Sequence, residues 1–380
     1  MKRLLSYILV AALASGATLF LWGNNGQRIS KLTELEALID EYFVDEADHE
    51  AMEDAAAEAM VEALGDRWSY YMTAAEYRSY QEKMANAYVG IGVNITQRED
   101  GYITIVKVEE NGPAEEAGIR PEDILIEVER QDISAMTIDE VKALVRGKEG
   151  TTVNLTLKRG EETYTVDAER RTIQSVVAKA TMLEENIGLV KIVNFDSRCA
   201  EETLAAVEDL LQQGATALIF DVRFNPGGYK DELVEILDYL LPEGPLFRSV
   251  DYRGKETVDE SDAQCLQIPM AVLINDNSYS AAEFFAAALS EYGVAKLVGQ
   301  PTTGKGHFQS TFALSDGSAA VISIGKYCTP NGISLADVGL TPDIAVDVDD
   351  ETYALIYYGY LSPEEDPQIC AAVDTLLGRK

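Results

Sequence analysis

Histidine is nearly absent from this chain: two residues in 380, His49 and His307. His49 sits in an acidic helical stretch and His307 is wedged between Lys305 and Gln309, so a serine–histidine–aspartate triad has few candidates. Cysteine is scarce too. Cys199, Cys265, Cys328 and Cys370 are widely spaced and form no C-x-x-C pair, which argues against a zinc site or a redox motif and leaves buried free thiols as the default. Basic residues number 31 against 65 acidic ones, a formal net charge of −34. Such a field repels phosphate backbones and argues against a nucleic-acid partner; most of it reads as solvated acidic surface.

Charge is missing altogether from Leu4 to Trp22, a mostly apolar run of 19 residues behind Met1-Lys2-Arg3. As a helix it would span about 28 Å, close to a bilayer core of ~30 Å. Ala12-Leu13-Ala14 and Ser15-Gly16-Ala17 resemble signal-peptide cleavage sites, but cleavage at either would leave Thr18 to Trp22 exposed. The expectation is an uncleaved single-pass anchor over residues 1–24. Lys2 and Arg3 stay inside and the rest of the chain is extracytoplasmic. Secretion after signal cleavage is the alternative.

Residues 25–85 form an N-terminal helical region: Leu32, Leu35, Leu38 and Ile39 recur at helix spacing, and Thr73-Ala-Ala-Glu76 reads as a capping box. Nothing in it points to chemistry. From 86 to 171 the period changes to short strands (102–108, 124–128, 153–158, 163–168) around a helix at 138–145. Here Val89-Gly90-Ile91-Gly92-Val93, Gly112-Pro113-Ala114 to Ala117-Gly118-Ile119, Asp123-Ile124-Leu125 and Arg146-Gly147-Lys148-Glu149-Gly150-Thr151 resemble a PDZ domain. In that resemblance Val89, Gly90, Ile91 and Gly92 are the loop that holds a peptide C-terminus, and the peptide adds as a strand beside it. Glu122 and Arg130-Gln131 depart from the usual turn residues.

From 172 to 380 strands and helices alternate, as in an α/β layer with its site at strand ends. Three motifs stand there. Asn225-Pro226-Gly227-Gly228 closes an apolar strand. Ser278-Tyr279-Ser280-Ala281-Ala282-Glu283 opens a small-residue helix, and Ser280 to Glu283 is also a capping box. Gly304-Lys305-Gly306 places a lysine 25 residues after Ser280, with Gln309 four further on. A serine hydroxyl needs a neighbouring base, and an unprotonated lysine can be one. Ser278 is the rival nucleophile. Gly299 to Lys305 nearly spells a phosphate-binding loop, but Gly306 stands where a Ser or Thr should hold magnesium, and a polar strand follows instead of a helix.

Together these pieces resemble the carboxyl-terminal processing peptidases, or tail-specific proteases, from about residue 30 to 348. The match includes Leu218 to Gly228, Tyr327 to Gly332 and Val338 to Asp343. Ala282, Tyr279 and His307 depart from the common residues. The resemblance implies an α/β multi-domain protein: N-terminal helices, a β-rich PDZ domain with two helices, and a peptidase core of mixed sheet and helices. It further implies Ser280 as nucleophile, Lys305 as base and Gln309 as the residue orienting the lysine. Ala281 with Gly227 or Gly228 would form the oxyanion hole. Substrates would be proteins or peptides with free C-termini. No metal or nucleotide is implied, and homo-oligomerisation is left open.

Overall fold

The computed structural model describes residues 30–98 and 100–379; the apolar run at 4–22 lies outside them. Among the described residues no helix is long and apolar enough to cross a membrane. The chain divides into two compact units between Met60 and Val61. The first holds helix α1 (Lys31–Tyr42) and most of α2 (His49–Glu62). Ser30 caps α1 by accepting the Leu32 N–H, and the His49 ring of α2 lies 3.3 Å from the Asp40 carboxylate.

The second unit opens with β1 (Tyr70–Met72) and α3 (Ala74–Met84). Thr73 and Glu76 bond reciprocally to start α3, as the sequence predicts. The PDZ segment follows: β2 (Ala87–Gly90), β3 (Val93–Gln97), β4 (Ile103–Val108), α4 (Pro113–Glu116), β5 (Ile124–Val128), β6 (Gln131–Asp132), α5 (Ile138–Val145), β7 (Thr152–Arg159), β8 (Glu162–Glu169) and β9 (Arg171–Gln174). Alternation builds its core: Val153, Leu155 and Leu157 of β7 point inward onto Ile105, Leu125 and Val141. β3 ends the antiparallel order β3-β4-β5-β7-β8, so among the described residues its outer edge carries no strand, and α5 packs beside it. β2 pairs with β9 and ties the two ends of the segment together.

The remaining chain forms β10 (Ala178–Met182), β11 (Ile187–Ile192), α6 (Cys199–Gln212), β12 (Ala217–Asp221), α7 (Lys230–Leu240), β13 (Gly244–Asp251), β14 (Glu256–Ser261), β15 (Met270–Ile274), α8 (Ala281–Glu291), β16 (Ala295–Gly299), β17 (His307–Ala313), β18 (Ala319–Cys328), β19 (Ile344–Ala345), α9 (Asp350–Tyr358) and α10 (Pro367–Leu376). One sheet has the order β10-β11-β12-β15-β16-β19 and is parallel from β11 onward. β12 and β15 are buried along their whole length, which is why Ala217–Phe220 and Met270–Ile274 read as apolar runs. Leu218 and Phe220 face the cluster built on α6, α7 and α8; Ile219 faces Ile369 and Ala372 of α10 on the other side. Three layers result. A second, antiparallel sheet runs β1-β18-β13-β14 with β17 on β18, the β17–β18 hairpin turning at Asp316-Gly317.

An ionic knot joins the first sheet to the C-terminal helix. Arg223, just past β12, reaches Asp221 and Asp366, each at 2.8 Å, with side chains at most 5% exposed. Burial pushes the Asp221 carboxyl up, but the Arg223 charge outweighs it and holds it below its ordinary value. All four cysteines are free thiols, yet only Cys199 is fully buried and Cys370 is exposed; the blanket expectation of buried thiols is corrected to one.

Candidate active site

Ser280 stands between β15 and α8 with φ 58° and ψ −126°. A residue with a side chain pays roughly 1–3 kcal/mol for such a backbone, which persists only where neighbours over-determine it. The neighbours are on hand. The Tyr279 N–H donates to the Asn225 carbonyl (3.2 Å). Ser278 is wholly buried, its hydroxyl donating to the Val222 carbonyl at 2.8 Å and accepting the Asn275 N–H at 3.0 Å. Ser278 is thereby a bracing residue out of reach of substrate. Ala281 begins α8, where first-turn N–H groups lack intrahelical acceptors and favour negative charge.

Glu283 is fully buried in the first turn of α8 and organises what lies around it. Its Oε2 accepts the N–H groups of Ser280 (3.1 Å) and Lys305 (2.9 Å), and its Oε1 accepts the Gly304 N–H (2.8 Å) and the Thr302 hydroxyl. Burial pushes its carboxyl up, and these donors oppose that. One carboxylate therefore joins the serine turn to the lysine loop, which is the physical content of the 25-residue spacing.

Ser280, Lys305, Gln309, Gly227, Gly228 and Ala281 all line one cavity of about 1040 Å³. Burial pulls the Lys305 ammonium down to about 8, against the opposing charges of Asp66 and Glu283. Its Nζ lies 4.8 Å from the centre of the Trp68 ring and 6.0 Å from that of Tyr279, a cation–π position. The Ser280 hydroxyl is instead bonded to the buried Tyr327 hydroxyl at 3.0 Å. Gln309 Nε2 donates to the His307 carbonyl (2.9 Å) and the Ser323 hydroxyl (3.1 Å), so in this arrangement it does not hold the lysine. Cavity and polarity thus bring the three residues together, without a direct Ser280–Lys305 or Gln309–Lys305 bond. Asp66 and Trp68 correct the expectation that residues 30–85 contribute no chemistry. The Asp66 carboxylate accepts the Ser69 hydroxyl (2.6 Å), the Ser69 hydroxyl accepts the Ser323 N–H (2.9 Å), and β1 pairs with β18, which carries this segment into the site.

The glycine turn abuts the serine. A Cβ on Gly227, at φ 87°, would stand 2.6 Å from the Ser280 Cβ and 2.8 Å from the Ala281 nitrogen. The Gly227 N–H donates to Asn225 Oδ1 (2.9 Å) and is occupied. Phe195 bonds to the turn through the Gly227 carbonyl (2.8 Å) and the Tyr229 N–H (2.7 Å). In a parallel bridge of this kind the backbone groups of the intervening residue, Gly228, face the other way. In the PDZ segment the Ile91 and Gly92 carbonyls accept from Ala114 (2.9 Å) and Glu109 (2.9 Å), while their N–H groups have no partner among the described residues. Gly90 and Val89 lie in β2, on the strand leading into that loop.

Known proteins bear on this geometry. Residues 186–346 match the model of Peptidase family S41 and residues 104–159 that of the PDZ domain. Over 372 aligned residues the chain is 32% identical to the carboxy-terminal processing protease CtpA of Bacillus subtilis, covering 94% of this chain and 79% of that one. The chain belongs to peptidase family S41. As an S41 serine peptidase with a PDZ domain, it is also 34% identical over 298 residues to a protein of Staphylococcus epidermidis named "Probable CtpA-like serine protease". That match covers 77% of this chain and 60% of the staphylococcal one, so this S41 chain spans about 60% of that relative's length. A Bacteroides fragilis protein named "Putative S41 protease" shares the fold, with a TM-score of 0.55, 14% identity, and coverage of 93% of this chain and 98% of that one.

Proposed function

We propose that the protein is an extracytoplasmic endopeptidase that captures substrate C-termini in its PDZ domain and cuts peptide bonds with a Ser280–Lys305 dyad. The observation that carries this reading is a lysine drawn down to about 8 by burial, in one cavity with a serine at a helix N-terminus. Neutral Lys305 takes the Ser280 proton as Oγ attacks the scissile carbonyl, then returns it to the leaving amine; water releases the acyl group by the same route. The Ala281 and Gly228 N–H groups hold the oxyanion; Gly228 is favoured over Gly227 because the Gly227 N–H is already bonded. Productive attack requires the lysine to leave Trp68 for Ser280, and Gln309 to turn with it.

A peptide C-terminus would lie along the open edge of β3 with its carboxylate on the free N–H groups of Ile91 and Gly92. Arg146 caps α5, pairs with Glu82 of α3 at 2.8 Å and lies 5.4 Å from the centre of the Tyr88 ring, which suits it to relay groove occupancy to the cleft. Residues 4–22 would anchor the chain, with fractionation into a detergent-soluble membrane pellet as the check.

A serine-reactive phosphonate followed by peptide mass spectrometry tests the central claim. Ser280 should be the labelled residue, and Lys305→Ala should slow labelling about 10²–10⁴-fold. No labelling at all would favour an inert PDZ-containing binding protein on the same fold; labelling elsewhere would refute Ser280 as nucleophile, and labelling at full rate without Lys305 would refute Lys305 as its base. For the PDZ role, one unstructured substrate is compared with a free and an amidated C-terminus. Equal cleavage would leave the PDZ loop without a carboxylate-reading role.

A further inference from the structure

Among the described residues one carboxylate in the cleft has no partner. Asp196 follows β11 and is 2% exposed, yet it lines the same cavity as Ser280. Its backbone is pressed against the glycine turn: a Cβ on Gly228 would stand 2.6 Å from the Asp196 nitrogen. Among the described residues no hydrogen bond or ion pair reaches its carboxyl group. Burial pushes that group up to about 7; Lys83 of α3 opposes the shift, and Glu232 of α7 adds to it. The charge of Asp196 acts on the hydroxyls of Tyr229 and Tyr279, and Tyr77 and Tyr80 of α3 line the same cavity.

An acid kept nearly dry and unpaired among aromatic rings suits one class of visitor. A lysine or arginine side chain can lay its methylene stem on the rings and set its charged head on the carboxylate. A purely structural acid of this burial would be bonded to its neighbours, as Glu283 and Asp221 are. We propose that Asp196 is a specificity-determining residue that selects substrates carrying a lysine or arginine side chain near the scissile bond. The inference rests on the reading of Ser280 as nucleophile for where that bond lies. Lys83, exposed on α3 and unpaired with Asp196, is the internal cation such a side chain would have to outcompete.

The test is binding, so that it does not depend on turnover. Fluorescein-labelled alanine–serine peptides carry one lysine, or one norleucine, scanned through every position. Their dissociation constants are measured by anisotropy on the full, detergent-solubilised chain carrying Ser280→Ala at pH 8. At one position lysine should bind about tenfold more tightly than norleucine, as expected for a charge-assisted pair. That ratio should persist with Asp196→Glu, vanish with Asp196→Asn, and shrink at pH 5.5, where the carboxyl is protonated. Thermal melts confirm that each variant is folded. A ratio unchanged by Asp196→Asn, or no position that prefers lysine, overturns the proposal. The Ser280 reading fails by a different sign: cleavage of the same peptides by Ser280→Ala.

Discussion

Raising the pH from 7 to 9 should speed cleavage about tenfold, because it empties the lysine of its proton. Lys305 titrates near 8 in the folded protein, drawn down by burial. Its neutral fraction is then about 9% at pH 7, about 50% at pH 8 and about 91% at pH 9. An unshifted lysine would be neutral to only about 0.03% at pH 7, so burial enlarges the reactive population roughly 300-fold. Asp66 and Glu283 both hold the pKa up. Neutralising Asp66 with Asp66→Asn keeps the shape of the side chain and removes an anion, so the midpoint should move to lower pH. The assay is kcat/KM on an internally quenched peptide free of lysine and arginine, from pH 6 to 10, since kcat/KM reports groups of the free enzyme. Chelators should change nothing. A flat profile, or a midpoint that Asp66→Asn leaves in place, would refute Lys305 as the base.

Glu283→Gln replaces an acceptor of four hydrogen bonds by a group with two N–H donors, so the serine turn and the lysine loop lose their common anchor. Displacements of about 1 Å cost on the order of 10² in rate, and kcat should fall by that factor while circular dichroism stays unchanged. Gly227→Ala sets a methyl 2.6 Å from the Ser280 Cβ at φ 87°; phosphonate labelling should slow by ~10² or more through lost alignment. Arg223→Met leaves Asp221 and Asp366 buried without their cation, and urea unfolding should show a loss of about 3–5 kcal/mol. A loss under 1 kcal/mol would mean that water reaches the knot.

The buried strands of the α/β layer were legible because both faces of their sheet are covered: Ala217 to Phe220 and Met270 to Ile274 are apolar without interruption. Ser280 and Lys305 were legible because their spacing is local to one strand–helix–strand passage. Trp68 and Asp66 were not, since more than two hundred residues separate them from Lys305 and only the pairing of β1 with β18 brings them near. β14, Glu-Thr-Val-Asp-Glu-Ser, carries too little apolar content to announce a strand; its pairing with β13 makes it one. Asp196 carries no motif at all. Its distinction is the lack of a partner, which exists only once the chain has folded.

The lysine's place over Trp68 has an optical consequence. The chain contains two tryptophans, Trp22 and Trp68, and the second has the Lys305 ammonium 4.8 Å from its ring centre. A positive charge at that distance perturbs the excited state of an indole, and its departure toward Ser280, or its loss of a proton, changes that perturbation. The Arg67 guanidinium, 4.2 Å from the same ring centre, keeps its charge throughout, so a change in Trp68 emission in a Trp22→Phe background reports on Lys305. Stopped-flow fluorescence on mixing with substrate would time the movement of Lys305 with no label added.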